Sequence, residues 1–205
     1  IDEVIACAAN ANGDTGLTYV FYYPIEGASE IKYFETETLS VDKNDFSNYN
    51  RIKLDITDVF GGKLQRFSRT NPEESWCIVT YLTNGKLHKS NPIRIKNKTK
   101  PTLWKEEVAI EYPKSLEPKF IWSDFNITDN AIYFQVISDK KNNFISGTYT
   151  YDNFFQFYNI NNVVLNINTS TPSDLTLDTS YNFTLMAVSE DNWVNLVLQK
   201  PFVTQ

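Results

Sequence analysis

The chain has 205 residues, enough for one large or two small domains. Apolar residues make up 41% and charged residues 21%, a globular balance that excludes a disordered chain. The formal net charge of −6 argues against non-specific nucleic-acid binding, which depends on neutralising phosphates with Lys and Arg.

Aromatics reach 15%, with 14 Phe and 12 Tyr, and bulky aromatic side chains favour strands. No run of about 18 apolar residues is present, so no transmembrane segment is expected. Val4-Ile5-Ala6-Cys7 loosely resembles the end of a bacterial lipoprotein signal. Ile1-Asp2-Glu3 is not the apolar segment such a signal needs, so Cys7 is read into a first strand. Cys7 and Cys77 are the only cysteines. They form one disulfide or two buried free thiols, and neither a disulfide framework nor a metal site.

In chain order, Asp2 to Ala9 reads as a first strand, and Asn10 to Gly16 as a turn-rich loop. Leu17 to Tyr23 is a strand ended by Pro24, and Glu30 to Thr38 is a third, with Tyr33 and Phe34 on opposite sides. Arg51 to Thr57 alternates, which places Ile52, Leu54 and Ile56 on one face. Val59 to Arg69 contains Gly61-Gly62, a bulge or turn signal. Trp76 to Thr83 and Lys86 to Ile95 flank Asn84-Gly85, whose residues tolerate the positive φ of a tight hairpin, so the two should pair. Ser90-Asn91-Pro92 then Ile93 and Ile95 resembles the last strand of a fibronectin type III domain, with the proline at an edge or bulge. Residues 98–118 read as a linker holding a short strand near Val108 to Tyr112.

The second half repeats the plan. Strands are expected at Phe120 to Asn126, at Ala131 to Ser138 with Ile132, Phe134 and Val136 inward, and at Phe144 to Tyr151. Phe154 to Tyr158 and Asn162 to Ile167 follow. In Leu175 to Ser189, Tyr181, Phe183, Leu185 and Ala187 share one face. Leu175 can anchor the turn while the Tyr181 hydroxyl bonds back to upstream backbone, the tyrosine-corner arrangement. With Thr179 and Ala187, this pattern resembles the sixth strand of a fibronectin type III domain. Trp193 to Phe202 closes the sheet, with Val194, Leu196 and Leu198 inward. In the first half Trp76 takes the tyrosine position and Thr70 the leucine position, so that half resembles an immunoglobulin-like sandwich more loosely. The expectation is an all-β chain of two tandem antiparallel seven-stranded β-sandwiches: 1–97, a linker at 98–118, and 119–205. A single jelly roll is the alternative.

Chemistry is sparse. His88, the one histidine, lies on a strand beside Lys89 with no triad around it. No nucleophile elbow or phosphate-binding glycine loop occurs. Asn10, Asn12 and Asp14 alternate, but Thr15 and Phe21 stand where a calcium loop needs Gly and Glu. Glu106-Glu107 and Glu190-Asp191 point to opposite faces of an extended chain, so neither pair clamps a glycosidic bond. No catalytic residue, metal or cofactor is expected.

The aromatics of the second half carry the binding expectation. Alternation turns Trp193 away from the core beside Asn195, and Tyr158 and Tyr151 join them as candidates with Asn192 in the adjoining loop. Aromatic faces with amides suit a glycan or a protein partner. The end loops Asp139–Asn143 and Ser189–Asn192 are further candidates. The resemblance to bacterial fibronectin type III domains implies an extracytoplasmic, secreted or cell-surface protein. The Asn- and Lys-rich texture is similar to Bacteroidota surface lipoproteins, which implies a lipid anchor upstream of the chain. A recognition module, a spacer in an envelope complex and a carbohydrate-active enzyme are the function classes, in that order. Oligomeric state stays open.

Overall fold

A computed structural model describes residues 2–205 and divides them into two units. Of the described residues, unit 1 takes those up to Thr102 and Asp191–Val194; unit 2 takes Leu103–Glu190 and Asn195–Gln205. Both are all-β.

Unit 1 holds β1 (Asp2–Val4), β2 (Ala6–Ala11), β3 (Asp14–Tyr22), β4 (Ser29–Thr36), β5 (Tyr49–Ile52), β6 (Ile56–Val59), β7 (Leu64–Arg69), β8 (Trp76–Thr83), β9 (Lys86–Ser90) and β10 (Ile93–Arg94). One sheet runs β1-β9-β8-β4-β5, with β10 also on β8; the other runs β2-β3-β7-β6. The expected first strand is two, β1 parallel to β9 and β2 antiparallel to β3, so the chain changes sheets at Ile5. It changes again after Ile52. The strand expected over Arg51 to Thr57 is therefore β5 in one sheet and β6 in the other, with Ile52 and Ile56 exposed at separate edges. The hairpin at Asn84-Gly85 pairs Thr83 with Lys86, and both turn residues have positive φ, 50° and 74°. Pro92 separates β9 from β10, and the Ser90 hydroxyl accepts the Val79 N–H at 3.0 Å. Val20, Tyr22 and Phe67 from one sheet meet Tyr33, Val79, Tyr81 and Ile93 from the other in a common core.

Charges also sit inside unit 1. Glu35 and Arg69 are 3% and 1% exposed. Arg69 Nε and Nη2 donate to the two Glu35 carboxylate oxygens at 2.9 and 2.5 Å. The Tyr33 hydroxyl and Ser75 Oγ each donate to Glu35 at 2.7 Å, while Arg69 also donates to the carbonyls of Asn71 and Glu73. Such a pair is held only where its remaining donors and acceptors are satisfied. Burial alone would raise the Glu35 carboxyl, but the Arg69 guanidinium and the two hydroxyls outweigh it and hold it below its usual value.

Unit 2 holds β11 (Leu103–Lys105), β12 (Ala109–Lys114), β13 (Glu117–Ile121), β14 (Ile132–Asp139), β15 (Phe144–Thr150), β16 (Phe154–Gln156), β17 (Val163–Asn166), β18 (Ser180–Val188) and β19 (Val194–Val203). Its sheets run β11-β19-β18-β14-β15-β17 and β12-β13-β16. The segment 98–118 thus supplies two strands, one parallel to β19 and one antiparallel to β13. Each unit opens in a similar way: a segment parallel to a late strand, β9 in unit 1 and β19 in unit 2, then a strand on the opposite sheet. Among the described residues, the divided first and fourth expected strands and the Pro92 break turn seven expected strands into ten in unit 1, and the two strands from segment 98–118 turn seven into nine in unit 2.

The tyrosine corner is formed: Thr176 N–H donates to the Tyr181 hydroxyl at 3.0 Å, and Leu175 is buried below it. Phe183, Leu185, Ala187, Leu196 and Leu198 line the unit 2 core with Phe120, which stacks on Phe183 at 4.1 Å. On β14 the inward residues are Tyr133 and Ile137, not Ile132, Phe134 and Val136. Phe134 and Val136 are buried on the opposite face, where Phe134 stacks on Tyr149 at 4.5 Å. With both faces apolar, alternation cannot say which one faces the core.

Candidate functional site on unit 2

Of the five residues expected to bind a ligand, three serve the fold. Trp193 is 0% exposed and belongs to the unit 1 core, not to an outer face. Unit 1 takes up its segment through backbone bonds: Ala8 N–H donates to Asn192 C=O at 3.0 Å and Arg94 N–H to Asp191 C=O at 2.9 Å. Lys96 pairs with Asp191 at 2.8 Å, and the Trp193 indole donates to Lys100 C=O at 2.8 Å. Asn192 is half-buried in the left-handed region, φ 61°, with its amide on Pro92 C=O. Asn195 is 1% exposed and donates to Asp129 and Asn130, each at 3.0 Å. The outward reading of Trp193 treated residues 193–202 as one strand of one domain, whereas Val194 and Asn195 fall in different units.

Tyr151 and Tyr158 lie in unit 2. Tyr151 follows β15 and is 65% exposed. β17 pairs Leu165 with Tyr149 and Val163 with Thr150, so Val164 is a bulge residue, and Val164 and Leu165 are both exposed. Asn162 ties the return loop to β16, its amide donating to Phe154 C=O at 3.0 Å. Residues 153–173 contain no charged side chain, and six of them are Asn. These amides bond the loop to itself: Asn161 N–H to Asn159 Oδ1, and Asn168 N–H to Asn166 Oδ1.

Tyr158 is fixed by the same amides. Its hydroxyl accepts from Asn166 Nδ2 at 2.6 Å and Asn168 Nδ2 at 3.1 Å. Asn168 in turn accepts the Gly147 N–H at 3.0 Å. Tyr158 lines a cleft of ≈ 390 Å³ with Phe157, Pro172 and the charged Lys114, Glu117 and Asp174. Lys114 and Glu117 form an ion pair there. The cleft is near the lower size of small-ligand sites. It offers two aromatic rings, one proline and charged groups of both signs.

The other expected features fall into place as structure. His88 is 5% exposed and stacks on Tyr81 at 5.1 Å. Cys7 and Cys77 are free, and burial pushes both thiols up to about 12, away from nucleophilic thiolate. Asp14 closes a turn by accepting the Gly16 N–H at 2.8 Å. Among the described residues no three His, Cys, Asp or Glu side chains group as metal ligands, and no helix is long and apolar enough to cross a membrane.

Strand parity points Glu35 and Arg69 inward, though it does not pair them. Glu35 shares strand parity with the core residue Tyr33, and Arg69 shares it with Phe67.

No family model and no curated protein matches this chain. Among solved structures it is similar to a two-domain fibronectin type III segment of chicken tenascin, at 9% identity and TM-score 0.37, covering 99% of this chain and 98% of that one. It is similar to the chicken interferon gamma receptor alpha chain at 9% identity and TM-score 0.31, covering 99% and 97%. A glycoside hydrolase domain, Endo-D from Streptococcus pneumoniae, matches at 9% identity and TM-score 0.38, covering 99% of this chain and 36% of that one. The strand pairing of the chain itself makes it an all-β protein of two units, each built from two sheets.

Proposed function

We propose that this chain is a non-catalytic, extracytoplasmic recognition module, and that unit 2 binds a glycan at the Tyr158 cleft. The observation that supports it is the fixed tyrosine. Two amides hold the Tyr158 hydroxyl, so its ring is positioned before any ligand arrives, at the wall of a cleft with polar groups of both signs. Pre-ordered binding groups lower the entropy cost of association. Sugars offer apolar C–H faces to a ring and hydroxyls to carboxylates, ammonium and amides. Tyr151, exposed beyond β15, adds a second ring on unit 2.

The test is affinity electrophoresis of the intact chain through a panel of neutral polysaccharides. One polysaccharide should retard it, and a folded Tyr158→Ala variant should run free. Retardation by none of the panel overturns the glycan reading. The competing role, a spacer in an envelope assembly, is favoured by the structural duties of Trp193, Asn192 and Asn195.

A further inference from the structure

Every open sheet ends in strands whose outer backbone groups can accept a further strand, and proteins blunt such edges with charge or cover. Most edges here are blunted. β1 carries Glu3, β5 Arg51, β6 Asp58, β11 Lys105, and β12 Glu111 and Lys114. β2 is covered, its Ala8 N–H donating to Asn192 C=O at 3.0 Å, and the Phe154 C=O of β16 accepts the Asn162 amide at 3.0 Å. β17 differs. Its residues, Val-Val-Leu-Asn, carry no charge, and among the described residues it pairs with β15 alone.

The side chains around this edge are apolar and exposed. Val164 and Leu165, at the bulge, are 47% and 43% exposed. Of the eleven large hydrophobics exposed among the described residues, five lie within residues 151–165: Tyr151, Phe154, Ile160, Val164 and Leu165. They are neighbours in the fold as well. Val163 faces Thr150, next to Tyr151, and donates its N–H to Ile160 C=O at 3.1 Å. Apolar side chains gathered in this way mark an interaction surface, whereas single scattered ones do not.

We propose that β17 pairs antiparallel with β17 of a second copy of this chain across a twofold axis. Charge selects that partner. The chain carries −6, so two copies repel over most of their surfaces. Residues 153–173 are the longest uncharged stretch of the chain, and copies meeting there set no like charges against each other. The polar side chains of this stretch are amides and hydroxyls, each both donor and acceptor, so an identical segment is complementary to it. A partner recruited by charge finds nothing there to recognise. The twofold pairing occupies the edge of both copies and closes at a dimer.

The inference does not rest on the glycan reading of the Tyr158 cleft. Two four-residue strands make a small contact, so the dimer is weak. The test is sedimentation velocity of the intact chain from about 10 μM to about 1 mM, a range that spans weak association. Dimer should accumulate with concentration, and hydrogen exchange at the backbone amides of 163–166 should slow with it. Leu165→Lys and Val164→Lys should each weaken dimerisation about tenfold or more, by setting ammonium groups against each other across the axis. Both side chains are exposed, so both variants should fold, which circular dichroism checks. Each substitution removes one unit of net negative charge and so lessens the overall repulsion, which makes lost association a local effect. Ile56→Lys, 42% exposed on the β6 edge, makes the same charge change and should leave dimerisation as it was. A monomer throughout, or a dimer without slowed exchange at 163–166, overturns the proposal. So does a dimer indifferent to both β17 variants, equal weakening by Ile56→Lys, or growth past two copies.

Discussion

Arg69 illustrates what a single residue does here. Its guanidinium, 1% exposed, holds Glu35, the carbonyls of Asn71 and Glu73, and the loop that leads into β8. Glu35→Gln leaves that charge buried without its counter-ion and should cost about 3–5 kcal/mol, measured by urea unfolding. The pair also sets an acid limit. Glu35 titrates lower when folded than its unfolded value of about 4.3, so its stabilisation is complete above that pH and is lost as pH falls through the folded value. Wild type should lose stability steeply below about pH 4, and Glu35→Gln should show a shallower slope. Tyr181 gives a smaller effect. Tyr181→Phe strips the acceptor from Thr176 N–H and should cost about 1 kcal/mol with the fold retained. That bond was legible in the sequence, because Leu175 and Tyr181 are local and their spacing alone closes the corner. The ion pair was not, because it joins strands 34 residues apart and nothing local requires them to meet.

At the scale of elements, β15 and β17 show how a glycine is required. Gly147 lies opposite Val136 on the outer face, and a Cβ there would lie 2.7 Å from Phe144 and 2.9 Å from Ile167. Gly147→Ala should therefore cost about 1–3 kcal/mol by overpacking, read as a lower urea midpoint. Strand existence was readable wherever a turn fixed it, as at Asn84-Gly85. Strand allegiance was not. The alternation of Ile52, Leu54 and Ile56 is real, yet the chain leaves one sheet for the other within it. Period-2 patterning reports faces, and it carries no information on which sheet a strand joins. The same limit hid Phe134 and Val136, whose strand is apolar on both sides.

For the whole molecule, the units do not divide the chain at a single point. Asp191–Val194 belongs to unit 1, far in sequence from the rest of it. Trp193→Ala should therefore destabilise unit 1 by about 3–5 kcal/mol, although the residue lies far in sequence beyond Thr102. A fragment of residues 1–102, lacking Trp193, should be less stable than unit 1 within the full chain; equal stability would contradict this division. The sequence placed Trp193 on a binding surface because an aromatic beside amides looks alike in a site and in a core, and only long-range pairing separates them. Tyr158 depends on such pairing too, its hydroxyl held by amides of Asn166 and Asn168 across a loop. The most direct measurement is an NMR titration of the labelled intact chain with oligosaccharides of whichever polysaccharide retards it. Saturable shifts are expected, confined to Tyr158, Asn166, Asn168 and the Lys114–Glu117 and Thr171–Leu175 cleft walls. Shifts located elsewhere in unit 2, or none at saturating sugar, would contradict the Tyr158 cleft as the recognition site.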